Sequence, residues 1–202
     1  MLNHTQNRSL KRSRVWRRGS LRSGMRRILF LAWVLILDAC AGTGTEVENV
    51  WSAPGSGSYS MGRTMVIVFT RTPVVSDMVE RVLVERLQDQ NVSADAWHLV
   101  VPGVHGPSRR QVLPVVTSGG YTSVLVVNVV GVKQVERDYP AAQVARTEVK
   151  LFSVATQDRV WTMTADTYVH FVPGAGLRVP QEADLQGFAE AVTDELIRSG
   201  IL

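Results

Sequence analysis

The chain has a single cysteine, Cys40, and it stands just after ten apolar residues, Ile28 to Leu37. A thiolate is a strong nucleophile and forms thioethers, so three roles are open to it. It is an inert thiol closing a short core helix, a catalytic nucleophile, or a point of covalent attachment. Nucleophilic catalysis needs a base held against the sulfur. No Cys-His context surrounds Cys40, and the residues after it are glycine-rich. One cysteine also excludes an internal disulfide framework and a Cys-cluster zinc site.

The other groups able to do chemistry are sparse. There are four histidines, His4, His98, His105 and His170, and no pair has H-x-x-x-H metal-ligand spacing. His98 lies in an apolar run and reads as a satisfied structural histidine in a strand, and His105, in PGVHGPS, reads as a loop residue. Neither a G-x-S-x-G elbow nor a Walker loop is present. The GSGS of Gly55 to Ser58 precedes a strand pattern, so it lacks the helix N-terminus that cradles phosphate. Asp158 and Asp166 flank a strand and read as solvated surface acids, the alternative being a glycosidase pair. The sequence therefore points to no catalytic residue, no metal site and no cofactor.

What positions Cys40 is the segment before it. Ten apolar residues in a helix span about 15 Å, half of a hydrocarbon core of about 30 Å. That is short for a membrane span, but with Arg26-Arg27 in front it matches the apolar core of a secretory signal. A start at Met25 rather than Met1 gives that signal ordinary proportions. Charge is divided in the same way. Nine Lys/Arg and one acid precede Cys40, leaving thirteen of the 22 basic and seventeen of the 18 acidic residues after it, a net of −4. A body of that sign gains nothing from neutralising phosphates, so nucleic acid is excluded as a partner despite the overall +4.

Leu37-Asp38-Ala39-Cys40 resembles the lipobox of bacterial lipoproteins, departing from it at Asp38, where small or uncharged residues are usual. The resemblance implies cleavage between Ala39 and Cys40 and acylation of Cys40. Ala41, in place of aspartate, implies sorting to the outer membrane, facing the periplasm. Three segments are then expected: a signal peptide at 1–39, the lipidated cysteine with a flexible Gly/Ser-rich tether at 40–62, and a periplasmic domain at 63–202.

Within that domain, Thr64 to Thr70 (TMVIVFT) reads as a buried strand. An amphipathic helix follows, with Ser76 as N-cap and Val79, Val82, Leu83 and Leu87 on one face. The charged residues Glu80, Arg81, Glu85, Arg86 and Asp89 are assigned to its other sides. Trp97 to Val101 reads as a second strand, and Ser108 caps a helix that Pro114 kinks or shortens. Ser123 to Val132 reads as a central strand. Val144 to Ala155 and Arg159 to Val169 form a hairpin about Thr156-Gln157-Asp158. A loop over Pro173 to Pro180 leads to a last helix from Glu182 to Ser199. The expected class is α/β (α+β), a mixed sheet of about five strands covered by helices, in the order β-α-β-α-β-β-β-α.

The opening strand and helix, Gly119 to Val132 (GGYTSVLVVNVVGV), and Val149 to Asp166 with its Trp161 resemble one group of periplasmic α/β lipoproteins. That group includes CsgG, PelC, LpoB and the amino-terminal domain of TolB. The resemblance covers most of residues 64–202 and implies a fold more than a function. It implies a non-enzymatic envelope protein, held in the outer membrane by its lipid, that supports assembly or export by docking an envelope partner or its own copies. The alternatives are an activator of a peptidoglycan synthase and a periplasmic hydrolase. Trp51 and Tyr59 are expected to dock on the domain, on a neighbouring copy or on a partner. Trp161 is expected to pack under the sheet.

Overall fold

The computed structural model describes residues 44–134, 142–172 and 179–202. The elements are β1 (Thr45–Ser52), β2 (Thr64–Phe69), α1 (Pro73–Asp89), β3 (Ala94–Ala96), α2 (Trp97–Val100) and α3 (Arg109–Ser118). They continue with β4 (Ser123–Gln134), β5 (Ala142–Ser153), β6 (Arg159–Val172), β7 (Val179–Pro180) and α4 (Glu182–Arg198). The sheet runs β1-β6-β5-β4-β2-β3, with β7 paired to β6. Strand β2 is parallel to β3 and β4, and the remaining pairs are antiparallel. The class is the mixed α/β fold expected, with seven strands rather than about five.

Strand β2 is buried on both faces, which explains its unbroken apolar run. Val66 and Val68 face a core with Leu125, Val149, Leu151, Trp161 and Met163, closed by α1 and α4. Met65 and Ile67 face a smaller core with Trp97, Val116 and Tyr121. Each such side chain contributes about 1.5–3 kcal/mol on burial. Trp161 is fully buried, and its Nε1–H donates to Ser199 Oγ at 3.0 Å, tying β6 to the end of α4.

Three expectations are corrected. Helix α1 starts at Pro73 with Thr72 as N-cap, because proline presets the first helical turn. Ser76 lies inside the helix, where its Oγ meets Thr70 Oγ1 at 2.9 Å. Only Ala94–Ala96 is extended before Trp97, and the expected strand Trp97–Val101 begins as the single helical turn α2. There the Trp97 indole N–H donates to Val104 O at 2.8 Å and folds the chain back.

The flexible tether of 40–62 is corrected over its described part. Residues 45–52 are a strand paired antiparallel with β6, from Thr45 opposite Thr167 to Ser52 opposite Trp161. TEVENVWS supplies the β-branched and aromatic residues that an edge strand needs. Tyr59 docks as one of its expected roles had it, its hydroxyl 2.7 Å from Ser123 Oγ. In the hairpin turn Gln157 takes φ 60°, the left-handed conformation usually filled by glycine.

Candidate functional site

Cys40, Ala39, Ala41 and His4 lie outside the described residues. What the fold fixes is where the chain arrives after Cys40. Gly44 O accepts the Tyr168 N–H, and β1 begins at Thr45, five residues past the cysteine. Five extended residues span at most about 17 Å. Beside this entry point the long ends of β4 and β6 carry apolar residues outward: Val130 is 52% exposed, Val132 56% and Tyr168 39%. Farther along β1, Trp51 is 44% exposed and carries the Arg159 guanidinium 4.7 Å above its ring. Among the described residues no helix is long and apolar enough to cross a membrane.

A groove of about 400 Å³ opens between α1, α4 and the carboxyl ends of β2 and β4. Val68, Val79, Val127, Val129, Leu185 and Phe188 line it. Arg71, Thr70 and Thr147 supply polar groups there. A wall of that kind suits an apolar or amphipathic guest.

Titratable groups gather on another side of α1. Glu80 is 2% exposed, although the helix pattern placed it off the apolar face. Its Oε1 accepts the Val68 N–H at 3.0 Å. Its Oε2 accepts the His98 N–H at 3.0 Å and lies 2.7 Å from His98 Nδ1. Asp77, one turn earlier, holds Oδ1 buried without a hydrogen-bond partner. That oxygen is 4.0 Å from His98 Nδ1 and 3.8 Å from His105 Nδ1. Helix α1 supplies both carboxylates at i and i+3, α2 supplies His98, and the loop after it supplies His105. The signal that would have found Glu80 is its spacing, since Ser76, Glu80, Leu83 and Leu87 recur at helical intervals along one buried stripe.

The remaining candidates separate. Asp158 sits in the hairpin turn and Asp166 eight residues along β6, roughly 26 Å away in an extended strand, so they are no acid pair. Asp166 faces Arg146, whose guanidinium also pairs with Glu48. His170 caps onto Asp184, its backbone N–H donating to Oδ2 at 2.6 Å. At the opposite edge Asp95 Oδ2 accepts Arg63 Nη2–H and Tyr121 O–H, both at 2.8 Å. The Arg63 guanidinium also lies 4.5 Å above the Tyr121 ring. Burial raises the Tyr121 phenol above its usual value, and the bond to Asp95 pushes the same way.

No family model matches the chain, and no curated protein matches it. Solved structures of similar path include a PelC dodecamer from Paraburkholderia phytofirmans, 15% identical with a TM-score of 0.48, covering 78% of this chain and 99% of that one. Lipoprotein GNA1162 from Neisseria meningitidis is 10% identical with a TM-score of 0.45, covering 68% of this chain and 99% of that one. The hypothetical protein CT253 from Chlamydia trachomatis is 11% identical with a TM-score of 0.35, covering 70% and 94%. PelC is one of the proteins whose segment patterns the sequence resembles. These likenesses are too loose to carry more than themselves.

Proposed function

We propose that this chain is a lipid-anchored envelope protein that acts by holding a docking domain close against a bilayer rather than by catalysis. The observation that carries the reading is the order Arg26-Arg27, ten apolar residues, then Leu37-Asp38-Ala39-Cys40. The start of β1 only five residues past Cys40 supports a short leash. Acylation of Cys40 with two or three chains supplies the attachment, at about 0.8 kcal/mol per buried CH₂. The lipid belongs to the outer membrane on its periplasmic side, following Ala41. The apolar ends of β4 and β6, the exposed Trp51 and the valine-lined groove are the surfaces on which an envelope partner or a second copy docks. Assembly or export is the work such docking serves. A span of about 17 Å disfavours the alternative that reaches far across the periplasm to a cell-wall synthase.

Fractionation of cells expressing the intact chain or Cys40→Ser tests the anchor. The wild type is expected in the outer-membrane fraction, released by detergent and not by salt. Cys40→Ser is expected to leave that fraction, and equal retention of both proteins would overturn the reading.

A further inference from the structure

We propose that Asp77, Glu80, His98 and His105 bind one divalent transition-metal ion of the zinc class, tying the loop that bears His105 to helix α1. Ligand atoms of Asp77, Glu80 and His98 all lie within 4.8 Å of one another. His105 lies outside that cluster and is the fourth donor the ion would draw in, its Nδ1 3.8 Å from the same Asp77 oxygen that lies 4.0 Å from His98 Nδ1. A tetrahedral ion with bonds of about 2.0–2.1 Å sets its ligand atoms roughly 3.3 Å apart. Against that spacing the His98 pair needs to close by about 0.7 Å and the His105 pair by about 0.5 Å, which a loop histidine and a half-buried aspartate can do.

Hydrogen bonding alone accounts for Glu80 and leaves Asp77 unexplained. Glu80 has the Val68 and His98 N–H groups and the His98 ring. Asp77 Oδ1 is out of water with no donor, between two imidazoles. Burying a carboxylate oxygen without a partner is unfavourable, and a cation at that point removes the penalty. Two carboxylates offset the charge of a doubly positive ion. Two imidazoles exclude magnesium and calcium, which take oxygen ligands, and suit zinc. On binding, the proton between His98 Nδ1 and Glu80 Oε2 leaves to solvent and the metal takes its place. The two backbone N–H bonds to Glu80 stay and hold that carboxylate in position. The side chains of Asp77 and His105 are 35% and 42% exposed, so an ion enters from solvent without unfolding.

The test is titration of the untagged full chain in detergent with Co²⁺, followed by its visible absorption and by displacement with Zn²⁺. One saturable Co²⁺ per chain is expected. His105→Ala and Asp77→Asn should each weaken binding at least tenfold, with His170→Ala as the unchanged control. Cys40 and His4 are common to all variants and cancel. Absence of a saturable band, or wild-type affinity in either site variant, overturns the proposal. Should Asp77→Asn fail to fold by circular dichroism, His105→Ala alone decides.

Discussion

Glu80 is the residue whose burial is hardest to remove. It accepts the N–H of Val68 from β2 and of His98 from α2, so one carboxylate joins three elements. Glu80→Ala leaves those two backbone donors unsatisfied at about 1–3 kcal/mol each. We expect a loss of that order in urea unfolding, and a variant within 0.5 kcal/mol of wild type would contradict it. Tyr121 makes a different prediction. Its folded pKa is raised above the usual phenol value of 10.0, by burial first and then by its bond to Asp95. A raised pKa favours the protonated form in the folded state. The stability it contributes is therefore complete below pH 10 and is lost as pH rises through the folded value. Unfolding free energy should fall more steeply above pH 10 in the wild type than in Tyr121→Phe, and parallel curves would refute the assignment.

At the scale of elements, β1 carries the main revision. Glycines and serines over 41–62 read as a tether, yet Val47 packs against the core and the strand closes one edge of the sheet. A glutamyl-specific protease tests the difference. Cleavage after Glu46 or Glu48 should be no faster than global unfolding, whereas cutting there in the native protein would restore the tether. Long elements were legible because their patterns repeat: the stripe of α4 and the runs of β2, β4 and β6 each hold enough apolar residues to declare a period. Strand β7, two residues long, and the turn α2 hold too few. Of the titratable cluster, the residue types were visible but their convergence was not. It depends on α2 turning the chain back at Trp97 so that His98 and His105 meet Asp77 across the fold.

For the whole molecule, the proposed anchor is what would give the fold its task. On the proposed reading, five residues would keep the start of β1 within about 17 Å of the lipid, and the entry edge with the apolar ends of β4 and β6 would be the surfaces turned toward the bilayer. A domain without the lipid would present the same surfaces to solvent with no such bias. The most direct measurement is the mass of the N-terminal peptide of the protein purified from native membranes. A chain beginning at Cys40 is expected, its sulfur carrying a diacylglyceryl thioether and its amine a further acyl group. An uncut chain that retains residues 1–39 with a free Cys40 thiol would contradict it.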